Sequence, residues 1–178
     1  IYTEGDEERS GASANFKVNY YRCNWEIDPA VRYITGKVTV YFTLTAPANF
    51  IKLDLSNNLQ TDAVTGITVS NFTHTSDVLT INLSNSFAKG YRDSITISYH
   101  GVPDNTGFGS FITDVHNGTP IAWSLSEPYG SKDWWPCKNN MQEKADSLDV
   151  YITHPSQYKA ASNGLLQSEV LINNGLKL

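Results

Sequence analysis

Polar and apolar positions alternate with a period of two over much of this chain. The cleanest run is "YITGKVTVYFTLTA", where Val38, Val40, Phe42 and Leu44 fall on one side and Lys37, Thr39, Tyr41 and Thr43 on the other. Successive side chains of a strand point to opposite faces, so this run predicts a strand half-buried against a core. "FKVNYYRCNWEI" reads the same way, with Phe16, Val18 and Tyr20 on one face. "FIKLDLS" repeats the pattern through Ile51, Leu53 and Leu55, and "GITVSNF", "VLTINLS" and "SITISYHG" follow as shorter strands. Gly, Asn, Asp and Ser separate them, as turns favour. "DPAVR" reads as the turn after the first strand, because a residue before proline avoids helical backbone. No window sustains a 3.6-residue apolar period, so helix is expected to be scarce.

Strands at this spacing predict an all-β fold: saddle-like curved antiparallel sheets or a β-sandwich, with long loops. The regularity fails after Gly101. From Val102 to Asn140 the chain reads as long loops, with "PDNTGFGSF" and "HNGTP" as turns. Loops this long in a compact domain are uncommon and often functional. Alternation returns at "DSLDVYITHP", through Leu148, Val150 and Ile152, and a further strand or two are expected in "YKAASNG" and "SEVLINNGLKL". One β-rich domain is expected over 16–178, preceded by a flexible, acidic lead-in over 1–15.

Composition narrows the function classes. The 178 residues are 40% hydrophobic and 17% charged, with a net charge of −5. No basic stripe exists to neutralise phosphates, which argues against nucleic acid as a partner. No apolar run reaches the ~20 residues a membrane-spanning helix needs. Ile1 stands where a methionine would start the chain, and Ser, Thr and Asn are plentiful. Three triplets beginning at Asn71, Asn82 and Asn117 fit the N-glycosylation pattern. Such triplets are common by chance; the Ser, Thr and Asn content and the missing start favour an exported protein, periplasmic, cell-surface or secreted, with a cytoplasmic one as the alternative. Cys23 and Cys137 allow one disulfide and require none.

Motifs for chemistry are few. His74, His100, His116 and His154 are dispersed and form no H-E-x-x-H, so surface or turn roles are expected of them. No G-x-S-x-G or C-x-x-C is present. The neighbours of Cys137 suggest a buried structural thiol, not a nucleophile. One stretch stands apart, "SLSEPYGSKDWWPCKNN" from Ser124 to Asn140. Trp134 and Trp135 there could stack on a sugar or plug the core beneath the loops. Glu127 is either an ordinary solvated glutamate or a partly shielded carboxylate able to take a cation through charge-assisted hydrogen bonds.

"SEPYGSKDWWPCKNNMQEKADSLDVYITHPSQYKAASNG" resembles the zinc aminopeptidases of the aminopeptidase N and leukotriene-hydrolase type. Their pattern T-Q-x-[EQ]-x-x-x-x-R-x-[FW]-P-C-x-D-x-P is echoed at Trp135-Pro136-Cys137. Their later run is echoed by Thr153-His154-Pro155 and by Ala161-Ser162-Asn163-Gly164. The "NYYRCNWEIDPAVRYITGKVTVYFT" segment is similar to the family's opening hairpin, so the likeness spans Phe16 to Leu178.

The resemblance implies the saddle-shaped N-terminal domain of such an enzyme. Zinc, its ligands and the general base would lie in a catalytic domain downstream of this chain, in intramolecular contact with it. The chain would hold no catalytic residue and no metal of its own. The resemblance also implies that Glu127, at the acid-or-amide position, helps hold the free α-amino group of a peptide substrate. Leu125, Ser126 and Pro128 would shape the adjoining pocket. Trp134, Trp135, Pro136 and Cys137 would brace the loop. Three departures bear on substrate preference: Leu125 replaces the usual glutamine, Lys132-Asp133 stand where arginines are common, and Lys138-Asn139-Asn140 lose the run's acid and proline. The competing expectation is a freestanding carbohydrate-binding or adhesion module of an exported protein.

Overall fold

In the computed structural model, which describes residues 10–106, 109–140 and 142–178, the regular alternation of the sequence becomes the inner faces of two sheets. The strands are β1 (Phe16–Ile27), β2 (Ile34–Leu44), β3 (Ala48–Asp54), β4 (Leu59–Thr65), β5 (Val69–Thr75) and β6 (Val78–Phe87). They continue with β7 (Arg92–Gly101), β8 (Ile112–His116), β9 (Thr119–Trp123), β10 (Ser147–Pro155), β11 (Leu171–Ile172) and β12 (Leu176–Lys177). A seven-stranded sheet has the order β11-β12-β10-β1-β2-β7-β4, a three-stranded sheet the order β3-β6-β5, and β8 pairs with β9. Pairing is antiparallel except between β1 and β10, which run parallel. The fold is thus all-β, as expected, with antiparallel sheets and very little helix.

The core forms where the inner faces of the two larger sheets meet. From β2 come Ile34, Val38, Val40, Phe42 and Leu44; from β3 and the residue after it, Ile51, Leu53 and Leu55; from β6, Leu79 and Ile81. All are buried, as the period-two pattern predicts for β2 and β3. Each such side chain taken from water contributes about 1.5–3 kcal/mol.

Four elements depart from the sequence reading. In β1 the register slips between Val18 and Tyr20, a bulge that resets the alternation by one residue. Tyr20 therefore leaves the face of Phe16 and Val18 and lies against Tyr41, with ring centroids 5.2 Å apart. Tyr21, Cys23 and Trp25 turn inward in its place. The expected loop from Val102 to Asn140 contains a hairpin, β8–β9, whose turn residues Asn117 and Gly118 have φ of 49° and 77°. That left-handed pair is the geometry a tight hairpin demands and Asn-Gly supplies. Strand β4 had no counterpart in the sequence reading; it is an edge strand with its own register shift between Thr61 and Ala63. "YKAASNG" forms no strand, while "SEVLINNGLKL" yields only the short β11 and β12.

Residues 1–9 of the expected lead-in lie outside the described residues. From Ser10 the chain is tied to β3: Ser13 N donates to Lys52 O at 3.2 Å, and Asn15 Nδ2 to Phe50 O at 2.8 Å. Both cysteines are buried and free, with no disulfide between them.

Candidate functional site

The Glu127 loop leaves β9 and is closed by its own backbone. Gly130 N donates to Ser126 O at 2.8 Å, so Glu127, Pro128 and Tyr129 form the tip, and the Glu127–Pro128 peptide is cis. Leu125 N donates to Gly109 O at 3.2 Å, fastening the start of the loop to the segment before β8. Gly130 has no room for a side chain, because a Cβ there would sit 2.8 Å from Ser110 Cβ. Glu127 and Pro128 are exposed, Leu125 is 46% exposed and Ser126 is partly buried. Among the described residues no hydrogen bond or ion pair engages the Glu127 carboxylate.

A short 3-10 helix, Gly130–Asp133, carries the chain from the tip into the tryptophans. Asp133 is buried and accepts hydrogen bonds from Ser110 Oγ at 2.5 Å and from Thr106 Oγ1. Lys132 reaches away to Asp77, Nζ to Oδ2 3.0 Å. Burial pushes the Asp77 carboxyl up, but the Asn57 amide and the Lys132 ammonium outweigh it, and the group ends below its ordinary value. Burial pushes Lys132 down, and its hydrogen bond and attraction to Asp77 leave it raised.

Trp134 packs under this loop. Its indole Nε1 donates to Ser126 Oγ at 2.9 Å. Its ring lies 4.5 Å from Trp25, 5.9 Å from Phe111 and 6.1 Å from Trp135, centroid to centroid. Trp135 meets Tyr21 edge-on at 5.1 Å. With Trp134 only 8% exposed and ringed by other aromatics, its faces are used for packing and it offers no sugar platform. Beneath the cluster, Tyr99 is fully buried; its hydroxyl accepts from Trp25 Nε1 and donates to Trp134 O, each at 3.0 Å.

Pro136 and Cys137 are buried too, and Cys137 forms a two-way backbone bridge to Asp54: Asp54 N to Cys137 O at 2.8 Å, Cys137 N to Asp54 O at 3.0 Å. Burial pushes the Cys137 thiol well up, the reverse of what a nucleophilic cysteine needs. Lys138, next along, is also buried: its Nζ donates to Phe16 O at 2.6 Å and pairs with Glu143. A cavity of about 410 Å³ opens beside the loop, walled by Tyr21, Pro128, Trp135, Lys138, Asn139 and Glu143.

The structure thus gathers Leu125, Ser126, Glu127, Pro128, Trp134, Trp135, Pro136 and Cys137 in one region. Three residues of this region were not singled out from the sequence for roles here. Tyr99 reads as one more apolar position of β7, and its hydroxyl has no local signature. Asp54 falls on the outward phase of "FIKLDLS" yet is 1% exposed, because the segment around Cys137 covers it. Asn139 acts through tertiary neighbours alone. His154, expected at the surface or in a turn, is buried in β10, with Nδ1 2.9 Å from Pro155 O. Among the described residues no group of three or more His, Cys, Asp and Glu gathers as a metal site would require.

No curated protein sequence matches this chain. Among solved structures, a mutant M1 zinc metallopeptidase from Deinococcus radiodurans superposes with a TM-score of 0.82 at 24% identity, over 93% of this chain and 38% of that one. A form of that enzyme bound to a Tyr-Ser-Ala substrate gives a TM-score of 0.80 at 25% identity, with the same coverage. A two-domain M1 zinc metallopeptidase bound to L-arginine gives 0.82 at 24% identity, again over 93% and 38%. This chain therefore spans well under half the length of those structures. The model of the peptidase M1 N-terminal domain matches residues 17–178, nearly the whole chain, which therefore belongs to that family.

Proposed function

We propose that this chain is the non-catalytic N-terminal domain of a zinc-dependent aminopeptidase, and that Glu127 helps bind the α-amino group of the peptide. The observation that carries this is the unengaged carboxylate of Glu127 on an exposed tip whose flanks are fastened by Trp134 and by the Gly130–Ser126 closure. A carboxylate held without a partner of its own is suited to an ammonium group, through opposite charge and directional acceptors. Fixing the amino end would set which peptide bond meets the metal. Leu125, exposed beside the tip, would give the amine site an apolar flank, and Pro128 stiffens the tip.

The described residues do not fit a zinc site, so zinc and its ligands would belong to a catalytic domain downstream. Two features support contact with such a domain. The described M1 structures are longer than this chain. The stretch between β10 and the last residue also presents Leu165, Leu166, Val170 and Leu171 to solvent, Leu165 at 86% exposure. Apolar side chains grouped this way favour burial against another surface.

The test is kinetic, on the full-length protein. Glu127→Ala should raise KM for free-amine peptides by about 10- to 100-fold, the size of a lost charge-assisted hydrogen bond. Discrimination against N-acetylated peptides should fall with it. A variant that cleaves both kinds as the wild type does removes the role given to Glu127.

A further inference from the structure

The tip that carries Glu127 is held from two sides, and the second hold comes from a residue outside the loop. Asn139 is almost fully buried. Its Nδ2 donates to Tyr129 O at 2.7 Å, the carbonyl two residues beyond Glu127. Its own backbone is fixed in turn, because Asn139 N donates to Asp54 Oδ2 at 3.0 Å. That carboxylate also accepts from Ser10 Oγ at 2.7 Å and Gly11 N at 2.5 Å, and the Asp54 backbone bridges Cys137. A buried carboxylate with several donors is costly to move, since each displaced donor would be left unpaired. A rigid path therefore runs from the end of β3, through Asp54 and Asn139, to the carbonyl of Tyr129.

We infer that Asn139 is a positioning residue for the Glu127 tip, anchored by Asp54, and that it sets how well the tip holds a peptide amine. Trp134 secures the Ser126 side of the tip and Asn139 the Tyr129 side. With both in place, Glu127 meets a ligand without first paying the entropy of ordering its loop. Removing one hold leaves the carboxylate present but less often in position. The effect is expected on binding and not on the chemical step, because the Asn139 amide acts on the loop backbone through Tyr129 O. The inference rests on the role proposed above for Glu127.

The experiment uses the full-length protein with Asn139→Asp and Asn139→Ala. The first keeps the shape and swaps the donor for an oxygen facing the Tyr129 carbonyl. The second removes the donor without adding charge beside Asp54, and serves if the first does not fold. Amide exchange over Ser126–Gly130 should rise about fivefold, the factor one net hydrogen bond supplies, with the β2 and β7 amides unchanged. KM for free-amine peptides should rise by a similar factor at unchanged kcat, with no further rise once Glu127 is alanine. Wild-type loop exchange and KM in the Asn139 variants, while Glu127→Ala still raises KM, overturns the positioning role and leaves Glu127 standing. If Glu127→Ala itself has no effect on KM, the amine-binding role falls for both residues. Loop exchange in Asn139→Ala then decides separately whether Asn139 holds the tip.

Discussion

Trp134 Nε1 donates to Ser126 Oγ across 2.9 Å, which couples a buried aromatic cluster to the residue beside Glu127. The indole is held by packing, the serine by the closed tip, so the bond transmits the rigidity of the core to an exposed loop. Trp134→Phe removes the donor and keeps most of the ring. It should cost about 1–2 kcal/mol of stability, from one hydrogen bond and a small loss of packing. Trp134→Ala should cost about 3–5 kcal/mol. Urea melts of the two variants check the ranking; equal losses would mean the ring that phenylalanine keeps adds nothing, and a wild-type stability in Trp134→Phe would mean the hydrogen bond carries no net weight.

Tyr99 makes a prediction out of proportion to the atom involved. Its hydroxyl joins Trp25 Nε1 to the Trp134 carbonyl inside the core. Tyr99→Phe deletes one oxygen and strands a buried donor and a buried acceptor, for a loss of about 2–4 kcal/mol. Gly36→Ala crowds the same ring, since its Cβ would lie 2.3 Å from Tyr99 Cζ. Both should lower the thermal midpoint by calorimetry. Wild-type stability in Tyr99→Phe would show that the hydroxyl bonds carry no net weight.

The thiols should be inert in the folded protein. Burial raises both Cys23 and Cys137 well above the ordinary thiol value, and thiolate is the reactive form. A disulfide-exchange reagent at mildly alkaline pH should label neither cysteine natively and both in denaturant without reductant. Fast native labelling would contradict their burial, and fewer than two thiols in denaturant would contradict their being free.

The Lys132–Asp77 pair should make stability depend on pH with a definite sign. The Asp77 carboxyl is lowered in the fold, so its contribution is present above the unfolded carboxyl value and lost as pH falls through the folded one. Lys132 is raised, so its contribution is present below the unfolded lysine value and lost as pH rises through the folded one. Asp77 is 43% exposed, and solvent screening keeps the pair to about 0.5 kcal/mol. Lys132→Met should therefore destabilise at pH near 7 and match the wild type once Asp77 is protonated. Denaturant melts across that range check it; a pH-independent difference would assign the loss to packing alone.

Much of the sheet is legible in the chain itself. The inward phase of Val38, Val40, Phe42 and Leu44 follows from period-two alternation, which depends only on strand geometry and on water rejecting apolar surface. The family resemblance at Trp135-Pro136-Cys137 located the loop that the structure packs against Trp25 and Tyr21. The hairpin β8–β9 had its turn in plain view at Asn117-Gly118. Its strands are short, hold Pro120 and carry no buried apolar face, so alternation could not mark them.

What the sequence determined by itself was the set of faces: which positions seek the core and which tolerate solvent. Tertiary structure alone decided the rest. The bulge at β1 shifts Tyr20 outward and Tyr21 inward, because one extra residue reverses the phase of all that follows. The parallel pairing of β1 with β10 brings together segments more than a hundred residues apart in the chain. Asp54 stands on a polar phase and is buried only because the chain near Cys137 returns to cover it. Its hydrogen bonds, like those of Asn139 and Tyr99, join residues remote in sequence, and local alternation carries no record of such partners.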